Sequence, residues 1–249
     1  MSESLVKVEI DAPVATITLN RADAMNALST AMRKEFAEAL LSIKTNADIR
    51  AIVLTGEGKA FCAGLDLPEL QSARTNVAES GVIGSDLLDA LSEIGIPVIA
   101  AVNGYAITGG FEIALLCDII IASEKAVFAD THAKVGVIPA WGITQRLPRI
   151  IGPMRAKEMS LTGNKVGAQQ AYEWGLVNHV VKHEDLLSTA MQLGRDIAGC
   201  DHGSQVAIKT LIDVGWMSPI EDGLRLERTA SIQAFRDYAA EQEAEKNTG

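Results

Sequence analysis

Residues 98–122, VIAAVNGYAITGGFEIALLCDIIIA, constrain this chain more than any other stretch. Pro97 precedes an apolar, β-branched run, residues 98–102, which Asn103-Gly104 ends. A short apolar run bounded by turn residues reads as a strand buried on both faces. Residues 105–107 form a second short extended piece, and Thr108-Gly109-Gly110 then leads into residues 111–116, whose apolar side chains fit helical spacing. A helix is therefore expected to start at or near Gly109. The first N–H groups of a helix have no partner within it and lie at the positive end of its dipole. Glycine there lets a ligand reach the backbone without meeting a Cβ. Gly109 and Gly110 can thus present donors to a carbonyl oxygen that is gaining negative charge. Glu112 follows about one turn on, where the dipole favours an anionic carboxylate available as a base. A plain glycine-rich turn with a solvated glutamate would carry the same letters.

A second motif lies upstream. Ala63-Gly64-Leu65-Asp66-Leu67 follows the apolar run at residues 51–54. Together AIVLTGEGKAFCAGLDL, PVIAAVNGYAITGGFEIALLCDIIIAS, VFADTHAKVGVIPAWGITQRL and LTGNKVGAQQAYEWGLVNHVV resemble the enoyl-CoA hydratase/isomerase, or crotonase, family. The resemblance spans nearly the whole chain. It is specific for the family and much less so for the reaction.

That resemblance implies an α/β fold, a spiral of β-β-α turns with two nearly perpendicular sheets over residues 1–195. A C-terminal helical region, 196–249, would serve oligomerisation. It implies a coenzyme A thioester as substrate, no bound cofactor, and assembly as a homotrimer or a dimer of trimers. The oxyanion of the thioester would be held by the backbone N–H groups of Leu65 and Gly109. The segment at residues 21–28, with Ala24 and Ala27, would touch coenzyme A. Ala63, Gly64, Asp66, Leu67, Tyr105 and Gly110 complete the expected substrate contacts. Family hydratases set two glutamates against one water. The first matches Glu112; the second falls at His132, in Phe128-Ala129-Asp130-Thr131-His132. Water would then be held by Glu112 alone, or with His132 or Asp130, since an imidazole serves as acid or base near neutral pH. His132 also fits an ordinary loop histidine.

The departure at His132 leaves several reactions open. Hydration of an enoyl-CoA needs polarisation and proton transfer, and both are present. Double-bond isomerisation needs one base, decarboxylation needs none for bond breaking, and thioester hydrolysis passes through the same oxyanion. A non-catalytic acyl-CoA-binding protein would retain the pocket alone.

Composition narrows the remaining classes. A net charge of −10 over 249 residues disfavours nucleic acid. No apolar run reaches the ~18 residues of a membrane helix, and the start MSESLVKVEI lacks the pattern of a signal peptide. Three scattered cysteines, Cys62, Cys117 and Cys200, show no metal-ligand spacing and fit free thiols in a reducing, cytoplasmic setting. Cys62 lies beside the candidate site without a basic neighbour to activate it. No serine sits in a nucleophile elbow, and neither a P-loop nor a dinucleotide fingerprint occurs.

Along the chain, Val6, Val8 and Ile10 alternate with polar residues, as do Ala15, Ile17 and Leu19, which predicts a hairpin with one solvated face. Ser29 or Thr30 caps a helix running to about Lys44. Three segments share a strand-turn-strand layout: 51–61, 98–107 and 119–128. Residues 68–93 read as a polar loop, then a helix, and the family resemblance implies that this region covers the acyl chain as a lid. Residues 131–149 read as mostly irregular. Helices follow at 155–161, at 169–174 closed by Gly175, and from about residue 185 onward.

Overall fold

The computed structural model describes residues 4–74 and 86–248. Close contacts divide the chain into two compact units, Met1–Gly199 and Cys200–Gly249. A boundary after residue 195 would cut the helix Leu186–Ala198, so the division falls at its end instead.

The three strand-turn-strand segments each supply one strand to each of two sheets. β1 (Val6–Asp11), β2 (Val14–Leu19), β3 (Ala51–Gly56), β5 (Val98–Val102), β7 (Ile119–Ser123) and β10 (His179–Val181) form the six-stranded sheet, in the order β1-β2-β3-β5-β7-β10. β4 (Ala60–Cys62), β6 (Tyr105–Ile107), β8 (Val127–Ala129) and β9 (Val166–Gly167) form the four-stranded sheet, in that order. β3, β5 and β7 are parallel neighbours, and so are β4, β6 and β8. Each segment is thus one turn of a winding unit, and both sheets grow by one strand per turn.

Period-2 patterning explains why the long strands read as unbroken apolar runs. Ile52, Leu54, Ala100 and Val102 face the main core, which includes Phe36, Phe61, Phe111 and Phe128. Ala51, Val53, Ile99 and Ala101 face the other way, under α9 (Leu186–Ala198), with Leu186 and Ala190. Gly194 lets α9 lie close: a Cβ there would meet both Val14 methyls at 3.1 Å. The hairpin departs from its expected pattern. β2 is buried on both faces because α9 covers the second, whereas on the edge strand β1 the side chains of Val8 and Ile10 are exposed.

α1 (Thr30–Lys44) starts as expected, with Ser29 Oγ accepting the N–H of Met32 at 3.2 Å. α2 (Leu67–Arg74) and α3 (Asp86–Ser92) flank residues 75–85. The stretch after Asp66 is helical rather than a polar loop, because Asp66 Oδ1 accepts the N–H of Glu69 and caps it. The middle of the expected lid lies outside the described residues. α4 (Gly109–Leu116) starts at Gly109 as the sequence predicts, and Phe111 packs on Phe128 of β8 with ring centroids 5.4 Å apart. Residues 131–149 are more regular than expected. They hold α5 (His132–Val135) and most of α6 (Ile143–Ile151), whose Ile143, Leu147 and Ile151 bury one stripe despite Pro148. α7 (Pro153–Thr162) and α8 (Ala168–Glu173) follow, the latter closed by Gly175 at φ +76°.

The unit Cys200–Gly249 is an α-helical pair, α10 (His202–Trp216) and α11 (Ile220–Thr248), started by Asp201 accepting the N–H of Ser204 at 2.8 Å. Among its described residues Ile212, Met217, Leu224 and Phe235 are exposed. No helix among the described residues is long and apolar enough to cross a membrane.

Candidate active site

Two turns of the spiral bring the two glycine motifs together. In β3–β4 and β5–β6 the chain reverses tightly, and Asn103 ties the reversals to each other. Its Oδ1 accepts the N–H of Gly56 and its Nδ2 donates to Gly58 O at 2.9 Å. Gly104 allows this approach, since a Cβ there would stand 2.1 Å from Lys59 O. The turn after β4 thus lies against the turn after β6. Gly64, at φ +93°, touches the head of α4: a Cβ on it would lie 2.2 Å from Thr108 Oγ1 and 3.1 Å from the Gly109 nitrogen.

Leu65 and Gly109 therefore sit side by side on the wall of a cavity of about 360 Å³. Among the described residues neither backbone N–H donates to another group of the protein. Thr108, the residue before Gly109, holds φ +47°, a conformation rare outside glycine and costing ~1–3 kcal/mol. It aims the start of α4 at the cavity. Ala63, Leu67, Leu70, Thr108, Trp141 and Ile138 form further parts of the wall, which is mainly apolar.

Glu112 lines the same cavity yet is only 2% exposed. Its Oε1 accepts the N–H groups of Trp141 at 3.0 Å and Ile143 at 3.2 Å. The second of these opens α6, so the carboxylate caps a helix start. The dipole argument predicts an anionic Glu112, but burial pushes its carboxyl above the ordinary value. The N–H of Ile143, His132 and the N–H of Trp141 oppose that rise without cancelling it.

Glu112 Oε2 faces His132 Nε2 at 3.6 Å. The imidazole is held from behind, its Nδ1 lying 2.6 Å from Asp130 Oδ1. The same oxygen accepts the backbone N–H of His132 at 3.2 Å, an Asx-turn that orders ring and backbone together. Burial alone would raise the Asp130 carboxyl. Hydrogen bonding from His132, with Ser160 close by, more than offsets it, and the net direction is down. An ionised Asp130 can accept only from a protonated Nδ1, and Nε2 is the nitrogen turned to Glu112.

The other expected contacts divide. The segment at residues 21–28 runs beside the motif turn, with Ala63 N–H donating to Met25 O at 3.0 Å and Leu28 N–H to Gly64 O at 2.8 Å. Ala24 and Ala27 lie on that segment, outside the cavity wall. Buried Asn26 anchors it through Nδ2 to Ala60 O at 2.7 Å. Asp66 is not free for a ligand: it is paired with Arg21 Nη1 at 2.6 Å, and that pairing, chiefly the hydrogen bond, holds its carboxyl below the usual range. Tyr105 lies at the far end of β6 under Lys165, whose Nζ is 5.1 Å from the ring centre. Gly110 packs on β4, where a Cβ would strike Cys62 O at 2.1 Å. None of these three lines the cavity, and each is engaged with its own surroundings. Cys62 is fully buried and its thiol is pushed up to about 12, which disables it as a nucleophile. Among the described residues no group of three or more His, Cys, Asp or Glu is placed to hold a metal.

Two backbone N–H groups that donate to nothing else among the described residues, and a buried carboxylate–imidazole pair, thus share the wall of one mainly apolar cavity, an arrangement able to hold a developing oxyanion beside a proton-transfer pair. The sequence pattern of the enoyl-CoA hydratase/isomerase family matches residues 9–248, and the chain belongs to that family. It is 35% identical over 97% of its length to a probable peroxisomal enoyl-CoA hydratase of Arabidopsis thaliana, covering 91% of that protein. It is 37% identical over 94% to a carnitinyl-CoA dehydratase of Salmonella arizonae, covering 90% of it. The crystal structure of enoyl-CoA hydratase from Bacillus anthracis superposes with a TM-score of 0.86 at 35% identity, over 94% of this chain and 97% of that one. The fold is the crotonase fold, with two mixed sheets and C-terminal helices.

Proposed function

We propose that the protein adds water across the 2,3 double bond of an enoyl-CoA, and removes it in reverse. The observation that carries this reading is the facing pair, Glu112 Oε2 and His132 Nε2, 3.6 Å apart on the wall that also holds Leu65 and Gly109. That separation leaves room for one water to stand within hydrogen-bonding distance of both. Both relatives named above carry names for adding or removing water on a coenzyme A thioester.

The Glu112 carboxylate takes a proton from the water as its oxygen bonds to C3. The π electrons move through C2 to the thioester oxygen, where the N–H groups of Leu65 and Gly109 hold the enolate. Each such donor is worth ~3–4 kcal/mol of barrier. The protonated imidazole of His132 gives its Nε2 proton to C2, leaving a 3-hydroxyacyl-CoA. Glu112 then passes its proton to His132, and the site is reset. The chain's partners on this reading are an acyl-CoA and further copies of itself, as a trimer or a dimer of trimers.

Turnover of crotonyl-CoA in oxygen-18 water tests the reaction. Hydration places the label on C3 of the product. A product with a shifted double bond and no label identifies an isomerase.

A further inference from the structure

The geometry points to Asp130 as a positioning residue that makes His132 a competent substitute for a carboxylic acid in this site. The inference rests on the hydratase reading for its consequence, though not for its geometry. Asp130 is fully buried, and its Oδ1 receives both the ring Nδ1–H and the backbone N–H of His132. Its other oxygen, Oδ2, is buried, and the Ser160 hydroxyl close to it makes no hydrogen bond of good geometry. A half-satisfied buried carboxylate works against stability, so a packing role does not explain it. What it does achieve is chemical. A neutral imidazole has two tautomers, and only the one protonated on Nδ1 keeps Nε2 available to the cavity. The carboxylate selects that tautomer, stops the ring from turning, and stabilises the cationic ring once Nε2 gains its proton.

The groups facing the imidazole are Asp130 behind it, Glu112 of α4 in front, and the hydroxyl of Ser160 from α7 beside Asp130. The Lys134 ammonium on the same short helix is engaged with Gly163 O at 2.7 Å. Removing the Asp130 charge therefore leaves Glu112 as the one facing anion among the described residues.

Asp130→Asn tests this in the full-length protein. Its amide keeps the shape and removes the charge. The expected result is a fall in kcat of about 10²-fold or more, with KM for crotonyl-CoA within about threefold. The alkaline limb of the kcat profile should move to lower pH, because the imidazolium loses a stabilising anion, and the melting temperature should hold or rise. A kcat within about threefold of wild type overturns the inference. So does a proportionate loss of kcat and melting temperature, which marks a structural role. Nitrogen-15 NMR of histidine-labelled wild-type protein decides the matter even if the variant does not fold. His132, assigned with a His132→Gln variant, must carry its proton on Nδ1 in the neutral ring; a proton on Nε2 overturns the inference. If wild type fails to hydrate enoyl-CoA yet shows the Nδ1 tautomer, the reaction reading fails and the Asp130 geometry stands. Hydration with the Nε2 tautomer has the opposite meaning.

Discussion

Trp141 donates its backbone N–H to Glu112 Oε1 at 3.0 Å, and its indole closes on Gly109, where an added Cβ would stand 3.0 Å from Cζ3. One residue thus touches both the proposed base and the proposed oxyanion donor, and the proposed chemistry needs those two held in one arrangement.

Glu112→Gln should keep the fold, because the amide oxygen can still accept from Trp141 and Ile143. It should bind acyl-CoA within a fewfold of wild type. Turnover should fall ~10²–10⁴-fold, as expected for a lost general base. Steady-state kinetics with an unfolding curve separate the two effects; a wild-type rate would remove Glu112 from the chemistry.

The buried carboxyl also has a stability signature. Its folded pKa is raised above the unfolded value of 4.5, chiefly by burial. Between those two values the folded state binds more protons, so stability falls as pH rises through that window. Glu112→Gln lacks this loss. Its unfolding free energy, measured by denaturant titration, should therefore gain on wild type as pH rises from about 4.5. A constant difference across the range would contradict the raised value.

Much of this architecture was legible because its cause is local. Strands buried on both faces must read as apolar runs, and turn residues such as Asn103-Gly104 separate each from its second extended piece, so the three turns of the spiral stood out. Gly109 announced the head of α4 for the same reason. Other parts have no local signature. The N–H groups that hold Glu112 come from Trp141 and Ile143, and a backbone donor can belong to any residue. α6 was hidden by Pro148, and the exposure of Val8 and Ile10 depends on β1 lying at a sheet edge. For His132 the letters did contain a signal, an Asp two residues before it. Only the fold shows that the ring then turns to Glu112.

Gly110→Ala should be among the most damaging small substitutions. Its Cβ would stand 2.1 Å from Cys62 O and 2.6 Å from Cys62 C, atoms of a buried strand that cannot step aside. A loss of ~1–3 kcal/mol or more is expected, with loss of activity as Gly109 shifts. Gly167→Ala is the control, since its added Cβ meets nothing within 4 Å and its stability should change by less than ~0.5 kcal/mol. Equal unfolding midpoints for the two variants would refute the packing argument.

The unit Cys200–Gly249 exposes Ile212 at 64%, Met217 at 70% and Phe235 at 75%. Apolar surface of that extent marks a covered face, and further copies of the chain are the proposed cover. Closed rings are the usual outcome for soluble homo-oligomers. Light scattering should give three or six times 26.5 kDa; the mass of a single chain would refute it.

The central claim is that Glu112 and His132 deliver water to an enoyl thioester polarised by Leu65 and Gly109. Loss of the ultraviolet absorbance of crotonyl-CoA in the presence of the protein measures this most directly. The account predicts a steady loss with wild type, and a rate at least about 10²-fold lower with either Glu112→Gln or His132→Ala. Unchanged absorbance with wild type, or a His132→Ala rate within about threefold of it, would contradict the account.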